Sequence, residues 1–284
     1  FHGCTTLTSF HIATTCSVAH RAFKNSNITS IHLGTPHNKI EYASGMHQMC
    51  YNCTNLTSVT LSTSVKSIGG EGDAFDHCSS LTHITIPSGL EHFDGFNHSG
   101  IQSITIEEPS SLTTISGLRY TQITSINLPS TVKTIAGFNH TPIQSINIPA
   151  GVTSLTGFHN CPALTALDVP DTCTLANNRL NYTHEYVIYN CPLLTSFSLP
   201  STLSLNSNWP HRIIGGTVGF SSITIPYGCS LLGYIAFASA SLTQIVVPDT
   251  CTASSYAFSG HASANQFSKL QVYTSNNIYY NYIG

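Results

Sequence analysis

Charge is nearly missing from this chain. Asp, Glu, Lys and Arg make up 7% of its 284 residues and the formal net charge is −3, against about 25% charged residues in an ordinary soluble domain. No basic stripe exists to neutralise phosphates or an anionic membrane surface, so nucleic-acid binding and electrostatic membrane attachment are not expected. No run of 18 or more apolar residues occurs, which excludes a transmembrane helix and membrane insertion by this segment. The nucleophile elbow G-x-S-x-G, phosphate loops, H-E-x-x-H and Gly-rich dinucleotide turns are absent as well, and the 12 carboxylates are scattered. No reaction is legible, and the chain is expected not to be an enzyme and to carry no cofactor. The start holds no signal peptide. It reads Phe1-His2-Gly3-Cys4-Thr5-Thr6-Leu7, matching the end of an internal repeat such as Phe75-Asp76-His77-Cys78-Ser79-Ser80-Leu81. The expectation is that more sequence precedes residue 1.

Solubility must therefore come from uncharged polar groups. Ser and Thr supply 72 residues and Asn 20, a neutral hydroxyl surface suited to an extracellular or virion setting. Six N-x-S/T sequons begin at Asn27, Asn52, Asn55, Asn97, Asn139 and Asn181, but this composition alone accounts for them.

What the chain has in abundance is one phrase. It reads Leu81-Thr82-His83-Ile84-Thr85-Ile86-Pro87, then Ile123-Thr124-Ser125-Ile126-Asn127-Leu128-Pro129, and recurs from Ile143, Leu164, Leu194 and Leu242. Weaker copies start at Leu7, Ile28, Leu56, Ile101, Phe220 and Leu270, so successive anchors lie 20 to 30 residues apart. Such a period with a fixed apolar skeleton predicts a solenoid, one coil per copy, in which no coil buries its apolar face alone. After each anchor, alternation sends Ile84 and Ile86 inward and His83 and Thr85 outward, as in a half-buried strand. Pro87, lacking an N–H, ends it. Further apolar positions follow at Leu90, Val132 and Val152, then at Phe93, Ile135 and Leu155. The coil closes on a Gly-Phe or Ala-Phe step such as Gly137-Phe138 or Ala74-Phe75.

These residues resemble the BspA-like leucine-rich repeat, most fully over residues 56–81 and 242–258, and the likeness runs through residues 1–273. Copies between Ile101 and Ile143 depart from it by losing the Ala-Phe and Cys steps. The resemblance implies a mostly β, right-handed leucine-rich-repeat solenoid of about twelve coils with little helix. It occupies residues 1–275, with a Tyr- and Asn-rich cap or linker at 276–284. It also implies surface adhesion, with the sheet formed by the repeated phrase as the concave recognition face.

Ten Cys are present, and repeat phase explains nine. Cys4, Cys53, Cys78, Cys161 and Cys191 each precede an anchor by three residues, while Cys16, Cys173, Cys229 and Cys251 take the slot of Val132 and Val152. Both columns face inward, where a free Cys acts as a small hydrophobe. Pairs in adjacent coils (Cys53 and Cys78, Cys161 and Cys191, Cys229 and Cys251) would bring Cα atoms about 5 Å apart, inside the disulfide range, although parallel side chains make the dihedral awkward. Cys50-Tyr51-Asn52-Cys53 follows His47, yet no second C-x-x-C matches it and no metal site is expected. By the same count His98 and His140 fall in the first Cys column, and the 15 His follow the repeat.

Two places stand out for binding. Outward strand positions form a ladder of small hydroxyls and amides that includes Asn127, Asn147 and Asp168. Insertions break the period after Leu164 and Leu194, and they gather Arg179, Tyr182, His184, Tyr186, Trp209, His211 and Arg212, the aromatic-plus-Arg chemistry of interfaces. The expectation is an extracellular or cell-surface module that binds a glycan or protein through this face and these loops. The alternative is a structural arm, fibre or decoration protein of a virion or surface filament, whose partner is its own assembly.

Overall fold

A computed structural model describes residues 1–11, 20–34, 48–69, 73–173, 187–201, 213–227, 231–232, 237–239, 241–248, 252–253, 271–274 and 279–280. The chain divides into two units, Phe1–Ile143 and Gln144–Gly284. Among the described residues there is no helix, and each unit is a stack of strand-bearing coils.

In the first unit the repeated phrase forms Ser9–His11, Ser30–Leu33, Ser58–Leu61, His83–Ile86, Ser103–Ile106 and Ser125–Ile126. Where they pair, as in the first three and in the fourth with the fifth, neighbours run parallel and in phase with the repeat: Ser30 lies opposite Ser58, Ile31 opposite Val59, and Ile84 opposite Ile104. Alternation sets the facing. Ile84, Ile86 and Ile126 are buried while His83 and Ser125 are exposed. A second side appears where the later apolar positions sit. Ser67–Ile68, His92–Phe93, Thr114–Ile115 and Thr134–Ile135 pair in parallel, with Phe93 beside Ile115 and Ile115 beside Ile135. Phe75, Phe93 and Phe96 fill the space between the sides, the Phe75 and Phe96 rings stacked at 5.0 Å.

The second unit repeats this plan with Ser145–Ile146, Ala166–Asp168, Ser196–Ser198, Ser222–Thr224, Gln244–Val247 and Gln271–Thr274. Here the closing step also becomes a ladder: Phe158–His159, Ile188–Cys191, Ile214–Val218 and Phe237–Ser239 pair in parallel. The last strand corrects one expectation. Gln271 lies opposite Gln244 and Val272 opposite Ile245, so that repeat begins one residue earlier than a count from Leu270 gives. Tyr279–Tyr280 adds an antiparallel strand against Val272 and Tyr273.

Coil after coil turns on a residue of positive φ: Asn25 at 58°, Asn52 at 58°, His77 at 62°, His98 at 57°, Tyr120 at 60° and His140 at 60° in the first unit, then Asn160 and Asn190 at 52° in the second. Asn and His are enriched in this left-handed region. At the corners from Asn25 to Tyr120 the main chain donates to the next coil, as from Asn52 to the Asp76 carbonyl (2.9 Å), His77 to Asn97 (3.0 Å) and His98 to Arg119 (2.7 Å).

These corners overturn the placement of His98 and His140 in the Cys column. Both sit at the corner itself, level with His77, and the residues after them, Ser99 and Thr141, are the buried counterparts of Cys78. The reason is length. Two residues separate Cys78 from Leu81, but only Gly100 separates Ser99 from Ile101, so counting back from the anchor slips by one. The column itself is inward-facing. Cys53, Cys78, Cys161 and Cys191 are buried, and Cys4 is partly exposed. The thiols of Cys53, Cys78 and Cys191 donate to the carbonyls of Phe23 (2.9 Å), Cys50 (3.1 Å) and Phe158 (3.3 Å), so each buried S–H has a partner. Thr121 and Thr141 achieve the same with hydroxyls, donating to Leu118 and Phe138 at 2.7 Å each. Cys50 takes the slot that Phe23 and Phe75 hold in neighbouring coils, and burial pushes its pKa up. Cys173, in the Val152 slot, is buried too, and burial pushes it up to about 11. Cys16, Cys229 and Cys251 lie outside the described residues.

Candidate binding surface

The outward face of the repeated strands is a row of short polar side chains on a hydrogen-bonded sheet. In the first unit Ser58, Thr60, His83, Ser103, Thr105, Ser125 and Asn127 are exposed. Ser30, His32 and Thr85 are half-buried in the same rows. His83 Nδ1 lies 2.9 Å from Ser103 Oγ. In the second unit Ser145, Asn147, Asp168, Ser196, Ser198, Ser222 and Thr224 are exposed. The Ser198 hydroxyl donates to Asp168 Oδ1 at 3.2 Å, which ties two successive strands together on the surface.

The structure therefore places Asn127 on the polar face of the first unit, and Asn147 and Asp168 on that of the second. Arg179, Tyr182, His184, Tyr186, Trp209, His211 and Arg212 lie outside the described residues. Among the described residues no three His, Cys, Asp or Glu side chains gather where they could hold a metal ion. No helix there is long and apolar enough to cross a membrane.

Two features escaped the sequence reading. One is a ribbon of rings along the corners of the first unit. His77 stacks on His98 at 4.5 Å, His98 on Tyr120 at 4.3 Å, and Tyr120 on His140 at 4.2 Å, with planes within 14° of parallel. Tyr51 meets His77 at 5.1 Å, and Lys24 sets its ammonium 4.5 Å from the centre of the Tyr51 ring. Partial burial, then the neighbouring His77, Arg119 and His140, holds His98 below the ordinary His range. The signal was present: a ring recurs two residues after each closing Phe or Leu. The other feature is a wider gap in the polar sheet of the second unit, between Ser196–Ser198 and Ser222–Thr224, which share no ladder and, unlike the other unpaired neighbours such as Ser145–Ile146 and Ala166–Asp168, do not approach within 8 Å. Its only trace in the sequence is aromatic residues where aliphatic ones are usual, at Phe197 and Phe220.

Behind the corners of the first unit lie two carboxyls away from the polar face. Asp76 accepts the Asn97 N–H at 2.8 Å, and burial, then nearby Asp73, pushes its pKa up to about 8. Asp94 accepts the Gly95 N–H at 2.7 Å, and burial pushes it up to about 6.

Phase, facing and corner geometry are those of a leucine-rich repeat stack, and the comparison with known families agrees. The model of the BspA type leucine rich repeat region (6 copies) matches residues 1–71, 44–165, 116–209 and 138–265. The chain belongs to that family. No curated protein matches it. Among solved structures, a leucine-rich repeat protein from Bacteroides ovatus ATCC 8483 is similar with a TM-score of 0.51 at 14% identity, over 89% of this chain and 70% of that one. The pneumococcal vaccine antigen PcpA gives 0.47 at 15% identity, over 94% of this chain and 66% of that one. A leucine rich cell surface protein from Faecalibacterium prausnitzii A2-165 gives 0.41 at 21% identity, over 93% and 85%.

Proposed function

We propose that this chain is a non-enzymatic recognition module, displayed on a cell surface, that holds a protein or glycan ligand against the polar face of its repeated strands. The observation that carries the reading is the facing itself. Successive coils spend their apolar side chains on the core and leave Ser125 and Asn127, or Ser145 and Asn147, in solvent at matched positions of a rigid sheet. Short hydroxyls and amides lose little side-chain entropy when a ligand orders them, and they offer both donors and acceptors. Low charge keeps such a face from attracting polyanions indiscriminately. The aromatic and Arg residues of the two insertions, from Arg179 to Tyr186 and from Trp209 to Arg212, join the proposal on their chemistry alone.

The test is capture on arrays of glycans and extracellular-matrix proteins by the purified chain. Each ligand captured is re-measured with Asn147→Arg and Asp168→Arg, which crowd the face without touching the core. Binding that drops at least tenfold with both variants supports the face. Binding that survives both overturns it.

A further inference from the structure

In the second unit the polar sheet lacks a rung. Ala166–Asp168 pairs with Ser196–Ser198, and Ser222–Thr224 pairs with Gln244–Val247. Ser196–Ser198 and Ser222–Thr224 share no ladder, and no Cα of one comes within 8 Å of a Cα of the other. Paired strands lie about 4.8 Å apart. The same two coils stay joined on their closing side, where Ile188–Cys191 pairs with Ile214–Val218. They are therefore splayed on one side only.

The main chain registers the loss. At the strand starts on either side of this gap, two consecutive N–H groups reach the previous coil, Thr195 and Ser196 to the Thr165 carbonyl and Thr243 and Gln244 to Ser221, as Thr57 and Ser58 reach Thr29 in the first unit. No corresponding bond joins Ser221 or Ser222 to Thr195. Both walls of the gap thus present strand edges to each other, with no described strand between them. The opening is a cleft of about 450 Å³, within the range of ligand sites, which runs from roughly 300 to 1,000 Å³. Phe197 and Phe220 form its floor, rings 6.3 Å apart and 10° from parallel, and both are half-exposed although they stand in core columns. Ser196, Ser198, Ser222 and Thr224 form its rim, and among the described residues no charged side chain lines it.

We propose that this cleft is a slot for one extended segment of a partner protein, added as the missing strand. The inference rests on the recognition reading above and names its partner class. Two strand spacings come to roughly 10 Å, which agrees with walls more than 8 Å apart. A strand in the slot finds main-chain donors and acceptors along both edges, the mode of β-strand addition. The floor sets its chemistry. Residues facing down meet Phe197 and Phe220 and must be apolar, and those facing up lie among Ser and Thr and are small and polar. A charged residue facing down would be buried without a partner. A glycan has no main-chain spacing to match the two edges.

The probe is a capped, fluorescently labelled peptide Leu-Thr-Ser-Phe-Ser-Leu, titrated with the whole chain and followed by anisotropy, with hydrogen exchange read at residues 196–198 and 222–224. Saturable binding is expected, together with slowed exchange of Ser222 and Thr224. At least tenfold weakening is expected for a peptide N-methylated at alternate amides, for one with Phe replaced by Glu, and for the variant Ser222→Pro. Phe220→Leu restores the usual anchor residue and guards against misfolding; it should keep the melting temperature while weakening the peptide. No binding by a chain that melts normally, binding indifferent to N-methylation, or strong protection of the Ser222 and Thr224 amides before peptide is added would each overturn the slot. A chain that captures array ligands but not the peptide sinks the slot alone, and one that binds the peptide but no array ligand sinks the polar face alone.

Discussion

The ring of His98 lies flat on that of Tyr120, centroids 4.3 Å apart and planes 14° from parallel. The two residues hold the same corner of successive coils, and both have positive φ. The corner throws each side chain out along the same edge, and the coil spacing then leaves room for rings to stack. Aromatic pairs of this kind contribute about 0.5–1.5 kcal/mol each beyond area burial. Tyr120 stacks on both sides, against His98 and His140. Tyr120→Ala should therefore cost about 1–3 kcal/mol, and Tyr120→Phe close to nothing. Urea denaturation of both variants checks this, and equal losses would show that the hydroxyl, not the stack, matters.

Facing gives the sharpest contrast. Ile126 is 5% exposed, and its neighbour Ser125 is in solvent. Ile126→Asp buries a charge without a partner and should cost about 4 kcal/mol or more. Ser125→Asp should lie within about 0.5 kcal/mol of the parent. Thermal melts of the pair test it, and similar damage from the two would refute the facing.

Asp76 makes stability depend on pH. Its folded pKa is raised to about 8, so from about pH 4, where a free Asp ionises, up to that value the folded chain holds a proton that the unfolded chain has released. Stability from this group therefore falls as pH rises through that window. His98, held low, acts oppositely: the folded chain resists protonation, so acid below about pH 6.5 costs stability. Asp76→Asn keeps an acceptor for the Asn97 N–H and removes only the first effect. The variant should melt several degrees above the parent at pH 8, and the difference should shrink towards pH 4. A constant difference across that range would rule this account out.

Gly117 is constrained by its neighbours as well as by its φ of 72°. A Cβ there would run into the Asp94 carboxylate and the Gly95 N–H. Gly117→Ala should cost at least about 1–3 kcal/mol, combining a left-handed backbone with the clash. Asp94→Asn does not relieve it, because the Gly95 main chain remains. Denaturation of the single and double variants measures both statements.

Most of the fold could be read from the chain because its signal is periodic. Ile84, Ile126 and Ile146 are buried, and Ser125, Ser145 and Asn147 are exposed, as alternation requires. What escaped depends on length rather than pattern. His98 was displaced by a single residue because the short coils drop one residue between corner and strand, and apolar spacing counted from the anchor cannot register that. The last strand slipped similarly, since Leu270 is the first apolar residue in reach but the ladder fixes Gln271 against Gln244. The candidate surface was legible as rows of Asn127, Asn147 and Asp168. The cleft was not, because a missing hydrogen-bonded neighbour is a relation between coils and leaves only Phe197 and Phe220 as its trace.

The thiols of Cys53, Cys78 and Cys191, each already bonded to a carbonyl of the main chain, have a consequence for how this stack can be made. Maturation at these positions needs no oxidase or isomerase. Dithiothreitol should leave hydrogen exchange in the coils of these three cysteines unmoved, whereas a bridged scaffold typically loses about 2–5 kcal/mol when reduced. Coils closed this way hold together whether their surroundings oxidise or reduce.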